Sequence, residues 1–75
     1  MKPAIQHYEG QAARLEGRKM VVVFDGFQLL DLEYTGNPGW LYQLPVRRVR
    51  NVRIDYRLNA KGDKWLIQSL EVIDG

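Results

Sequence analysis

The stretch Met20-Val21-Val22-Val23-Phe24-Asp25-Gly26-Phe27-Gln28-Leu29-Leu30-Asp31-Leu32-Glu33-Tyr34 decides the fold. A β-branched, apolar run meets Asp25-Gly26 and is followed at once by a second apolar run. Asp-Gly is favoured where both central residues of a two-residue hairpin loop need positive φ, as in a type I′ turn. Such a loop places Phe24 opposite Phe27, Val22 opposite Leu29 and Arg18 opposite Glu33. The second strand alternates, with Leu30, Leu32 and Tyr34 on one face and Asp31 and Glu33 on the other. Adjacent valines and adjacent leucines imply that both faces of the hairpin are partly covered. A curled sheet or small barrel does this more readily than a flat sheet.

Downstream, Thr35-Gly36-Asn37-Pro38-Gly39 is a dense turn cluster. Residues 40–44 read as a short strand, with Trp40, Tyr42 and Leu44 alternating, and Pro45 marks its edge. Residues 46–58 form the long strand. Val52, Ile54, Tyr56 and Leu58 share one face; Asn51, Arg53, Asp55 and Arg57 share the other. Val49 breaks the phase, which predicts a bulge or bend between Arg47 and Arg50. After the loop Asn59-Ala60-Lys61-Gly62-Asp63, residues 64–73 form the last strand, with one bulge at Gln68-Ser69. That bulge pairs Leu58 with Trp65, Tyr56 with Ile67, Ile54 with Leu70 and Val52 with Val72. It also sets Arg53 opposite Glu71, a favourable cross-strand pair.

Upstream, Ile5, Tyr8, Ala12 and Leu15 follow helical spacing, Pro3 suits a first turn and Gly17 a C-terminal stop. An N-terminal helix over residues 3–16 is therefore expected, against a cost of about 1 kcal/mol for Gly10 in its middle. A strand over residues 11–16 is the alternative. The fold class is thus α+β and mainly antiparallel: one domain over residues 1–75, with four to five strands in a small curled sheet or barrel. The alternative is an all-β, SH3-like barrel. The segment from Leu15-Glu16-Gly17-Arg18 through Phe24-Asp25-Gly26 resembles the opening of the Sm-like RNA-binding fold, in which a helix leads into a strand ending in Asp-Gly. Asp31 stands near where that family's pattern has glycine, and no second motif follows.

Composition narrows the chemistry. The 75 residues include no cysteine, one histidine, one serine and one threonine. Disulfides, thiol nucleophiles and thiolate metal sites are excluded, and one histidine cannot build a typical zinc site. No apolar run approaches the ~18 residues needed to cross a bilayer. The opening MKPAIQHYEG has no apolar centre of the kind a signal peptide carries, so a cytoplasmic location is expected. A hydrolase would have to be built on Ser69 and His7, and neither lies in a nucleophile motif. The expectation is a non-enzymatic protein without metal or cofactor.

The net charge of +2 conceals polarity. Residues 46–64 hold Arg47, Arg48, Arg50, Arg53, Arg57, Lys61 and Lys64 against Asp55 and Asp63, a local +5. Residues 20–45 carry −3 from Asp25, Asp31 and Glu33. The leading reading is a small inhibitor, adaptor or subunit docking on a larger protein through Arg47, Arg48, Arg50 and Arg57, with Trp40 and Tyr42 as anchors. The opposed charges also suit association between copies of the chain. The alternative is RNA or single-stranded DNA held by phosphate contacts from Arg47, Arg48, Arg50, Arg53, Arg57, Lys61 and Lys64. Tyr56 and Trp65 fall on the inward face and read as core.

Overall fold

A computed structural model describes residues 4–74. Five strands form β1 (Gln6–Arg14), β2 (Met20–Asp25), β3 (Gln28–Glu33), β4 (Arg50–Leu58) and β5 (Trp65–Val72), with a single-turn 3-10 helix at Gly39–Tyr42 between β3 and β4. They close into a barrel in the order β1-β2-β3-β5-β4. All neighbours are antiparallel except β3 and β5, whose parallel seam consists of Leu32 beside Trp65 and Glu33 beside Leu66. Since β4 returns to lie beside β1, the path 4-1-2-3 is a Greek key.

The all-β barrel, held above as the alternative, is the architecture found; the N-terminal helix is not. Residues 6–14 are a strand that pairs with β4 from Gln6 to Ala12 and with β2 from Ala12 to Arg14. Tyr8 and Ala12 face inward, 8% and 0% exposed, and their spacing of four suits a helix and a strand equally. Tertiary pairing decides between them. As a strand, the segment satisfies its backbone against two neighbours and removes the open edges of β2 and β4. The helix implied by the Sm-like resemblance is absent for the same reason.

The hairpin forms with its register two residues from the expected one. Phe24 faces Leu29, Val23 faces Leu30 and Val21 faces Leu32. The loop is Gly26-Phe27, and φ is positive (62°) at Gly26 alone, the pattern of a type II′ rather than a type I′ turn. A slip of two residues leaves every side chain on its face while changing its partner. The observed register sets fully buried Leu32 against fully buried Val21, where the expected one would set it against Lys19.

Residues 40–44 are not a strand. Leu41 N–H donates to the Pro38 carbonyl, and Gln43 and Leu44 N–H both donate to that of Trp40. The turn buries Leu44 completely and packs Trp40 edge-on against Tyr34 at 5.0 Å, while Tyr42 stays 95% exposed. The β4–β5 ladder matches expectation, from Leu58–Trp65 to Val52–Val72, with the irregularity opposite Gln68. The expected bend before β4 is present as well: Arg47 has φ 63° and the ladder starts at Arg50. The core is Tyr8, Ala12, Val21, Val23, Leu32, Tyr34, Leu44, Val52, Ile54, Tyr56 and Leu70, with no buried charged side chain among the described residues.

Candidate functional site

The seven basic residues of 46–64 do not form one surface. Arg53 projects from the outer face of β4 between Glu9 of β1 and Glu71 of β5, its Nε donating to Glu9 Oε1 at 2.7 Å and Nη1 lying 3.7 Å from Glu71 Oε2. Arg57 donates to Gln68 Oε1 at 3.0 Å and to its neighbour's carbonyl. Lys64 lies 3.7 Å from Glu33, and Lys61 is exposed in the β4–β5 loop. Arg50 and Arg57 are seven residues apart on one strand, roughly 23 Å at the usual rise. The middle of the arginine strand is thus a neutralised ladder, with cations left at its two ends.

Titration of this ladder follows from its contacts. Arg53 holds the Glu9 carboxyl below its ordinary value, first by its hydrogen bond and then by its charge. His7, whose Nδ1 lies 2.8 Å from Asp55 Oδ1, does the same for Asp55 through its hydrogen bond, with Ser69 Oγ donating to Oδ2 at 3.3 Å. Carboxyls with a folded pKa below the unfolded one stabilise the native state above the unfolded pKa. That contribution is lost as pH falls through the folded pKa. Arg53→Gln is expected to raise the pKa of Glu9 toward its ordinary value in a side-chain carboxyl NMR titration. An unmoved Glu9 would show that Arg53 does not set it.

His7, Asp55 and Ser69 do share one exposed face, but in the wrong order for acyl transfer. The carboxylate sits between the two, so the imidazole does not reach the hydroxyl it would have to deprotonate. The second His7 nitrogen, Nε2, is 3.8 Å from Glu9. Among the described residues no group of three or more His, Asp or Glu side chains is placed to hold a metal ion.

Further cations lie where the end of β1 meets the start of β4. The segment before β4 runs beside the end of β1: Val46 bridges Arg14, Arg47 N–H donates to the Arg14 carbonyl, and the Arg47 guanidinium lies 3.2 Å from Glu16. This brings Arg47 to Glu16 in the β1–β2 loop, which also carries Arg18 and Lys19, while Arg48 and Arg50 follow Arg47 along the chain and Arg50 lies opposite Ala12. Arg14 completes the group, anchored by an Nε–H bond to the Leu44 carbonyl at 2.9 Å. Within these segments Arg47 pairs with Glu16 and Arg50 lies near Asp74. The Asp74 carboxyl is held low, chiefly by the Asn51 backbone N–H and amide and additionally by Arg50. Beside them Arg14, Asn37, Pro38, Leu41 and Tyr42 line a shallow depression with the exposed Tyr42 ring on its rim.

Arg47 stands out within this pole. A left-handed conformation is uncommon for a residue with a long side chain and is retained where surroundings impose it. Here the Arg14 carbonyl and Glu16 hold it. Of the residues expected to bind a partner, Arg47, Arg48, Arg50 and Tyr42 belong to this pole. Trp40 is half-buried on Tyr34, and Arg53, Arg57, Lys61 and Lys64 lie outside it. Sequence reading missed Arg14, Arg18 and Lys19, because only the β1–β4 junction joins them to the arginine block. Comparison of the chain with protein-family models, curated proteins and solved structures gives no match.

Proposed function

We propose that the protein is a non-enzymatic module that binds single-stranded nucleic acid at the basic pole. The observation that carries this reading is the junction at which Arg47 bonds the Arg14 carbonyl and Glu16 while Arg14 shares a depression with the exposed Tyr42, in segments that also carry Arg18, Lys19, Arg48 and Arg50. Sequence-tolerant binding of single strands combines cations that follow the phosphates with an aromatic ring on which a base stacks, and the pole supplies both. Five of the six cations are arginines, whose planar forks suit phosphate oxygens and whose faces stack on bases. The barrel type supports the same partner. Five-stranded Greek-key barrels of the OB class bind oligonucleotides and oligosaccharides partly through the β1–β2 loop, an argument by analogy of fold. An acidic protein docking on the same arginines is the second reading, since the forks serve carboxylates too. Tyr42 and the barrel type favour nucleic acid.

Fluorescence polarisation with labelled oligo(dT) and oligo(U) across a salt series tests this. Binding should weaken linearly on a log–log plot. Replacing Arg47, Arg48 and Arg50 by alanine should flatten the slope by about 2, at ~0.7 per phosphate contact on a single strand. Tyr42→Ala should weaken binding roughly 5- to 150-fold without changing the slope, as expected for loss of one stacked base. Absence of binding to both oligomers in low salt would overturn the reading.

A further inference from the structure

The barrel is not closed along the whole of β3. That strand pairs with β2 over its full length, from Met20–Glu33 to Asp25–Gln28, but with β5 only at Leu32 and Glu33. Among the described residues, no second strand pairs with residues 28–31. The N–H of Tyr34 bonds the Lys19 carbonyl, which fixes 19–34 as a hydrogen-bonded pair. Alternation along the ladder then directs the backbone groups of 28, 30 and 32 to β2 and those of 29 and 31 outward. On the outer face of this free edge lie the exposed apolar side chains of the hairpin. Phe24 is 42% exposed, Leu29 63%, and Phe27 at the turn fully so.

We propose that this edge pairs with the same edge of a second copy, making a weak, symmetric dimer through β3. The edge is self-complementary in one register. About a two-fold axis through Leu29, Leu29 faces the second copy's Leu29 as a hydrogen-bonded pair, and residues 27 and 31 pair reciprocally. The outward N–H and C=O of Leu29 thereby gain partners, while Phe27 of the turn lies beside the second copy's Asp31. The same register sets Phe24, Leu29, and the second copy's Leu29 and Phe24 in one unbroken cross-strand row. Aromatic–aliphatic rows of this kind stabilise sheets. The alternative register about Leu30 would need Leu32, which β5 already occupies, and would set Leu29 against Asp31.

Charge agrees with this register. The two Asp31 side chains sit four residues apart along the strands, about 13 Å, beyond a Debye length of ~8 Å at physiological salt. The area sets the strength. Phe27 with the exposed parts of Phe24 and Leu29 offers roughly 400 Å² per copy, taking ~150–250 Å² for a whole aromatic side chain. That is about half the ~800 Å² per partner of a standard stable interface. The dimer should accordingly populate only at roughly 10–100 μM and above. This inference does not depend on the basic pole.

The absence of cysteine makes a direct test available. In a hydrogen-bonded antiparallel pair, Cα atoms lie about 5.5 Å apart, inside the ~4.4–6.8 Å range a disulfide spans. Leu29→Cys should therefore form an intermolecular disulfide under mild oxidation. Val49→Cys, on an exposed residue outside the hairpin, should not cross-link at the same rate. Sedimentation equilibrium of the unmodified chain should show mass rising toward that of a dimer. Leu29→Lys should raise the dissociation constant about tenfold or more, because like charges then oppose each other directly. Circular dichroism checks that each variant is folded. Equal cross-linking of the two cysteine variants, or an unmodified chain that stays monomeric at about 1 mM, well above the concentration range argued from area, overturns the proposal.

Discussion

Leu32→Ala is expected to leave the barrel at the margin of stability at 25 °C, with a large unfolded fraction. Leu32 is fully buried, faces Val21 across the hairpin, and is one of only two β3 residues that reach β5. Truncating such a side chain removes its burial and leaves a cavity between β2 and β5, a loss of about 2–5 kcal/mol. A domain of this size, without disulfides, has roughly 3–5 kcal/mol in total. The loss therefore equals most of the stability, and it falls on the parallel seam that closes the barrel. Far-UV circular dichroism and urea titration would check it. Leu29→Ala, three residues away on the outer face, should change stability by less than about 0.5 kcal/mol in dilute solution. Comparable losses from the two variants would mean that Leu32 is not the keystone of that seam.

The sequence could not distinguish helix from strand where two buried residues lie four apart. Spacing of four fits both periods, so the residue midway between them decides. Between Tyr8 and Ala12 stands Gly10, which has no side chain to declare a face, and the segment reads as a helix although it is a strand. Between Trp40 and Leu44 stands Tyr42. Counted as apolar, it completes an alternating strand; in the structure it points to solvent and the turn is helical. Where longer apolar alternation existed, from Val52 to Leu58 and from Trp65 to Val72, register and bulge were legible together. The hairpin shows the limit of turn chemistry. Asp-Gly announces a loop, but a shift of two preserves both faces, so only packing of Leu32 against Val21 and Trp65 selects the register.

The candidate site was half legible for a related reason. Local charge identified the arginine block, yet free cations and paired ones look alike in a sequence. Arg53 could be paired with Glu71 through the β4–β5 register. Its stronger partner, Glu9, comes from β1, which the helical reading had removed from the sheet. The same error hid Arg14, Arg18 and Lys19 from the pole. One misassigned element therefore accounts for most of what was missed at the surface as well as in the fold.

Gly10→Ala should destabilise the protein by about 2–3 kcal/mol, although alanine normally improves a strand interior by about 0.5–1 kcal/mol over glycine. The cause is the Tyr8 ring, which lies across Gly10 on the inner face of β1. A Cβ there would stand 2.6 Å from the Tyr8 hydroxyl oxygen and 2.9 Å from the carbon that carries it. A long side chain can often swing away from such a contact. This one is held, because the hydroxyl lies 2.7 Å from the Gln11 carbonyl and 2.9 Å from the Phe24 carbonyl, tying β1 to the end of β2. Moving the ring loses the hydrogen bond that the single hydroxyl proton shares between the two carbonyls, worth about 0.5–1.5 kcal/mol, and disturbs a tight core at a further cost of about 1–3 kcal/mol. Urea denaturation of a double-mutant cycle separates this cause from any intrinsic effect of alanine. With Tyr8→Ala already present, adding Gly10→Ala should cost nothing or restore a few tenths of a kcal/mol, as expected where only chain entropy changes. Additive losses in the cycle would show that the glycine serves the backbone of β1 rather than the ring above it.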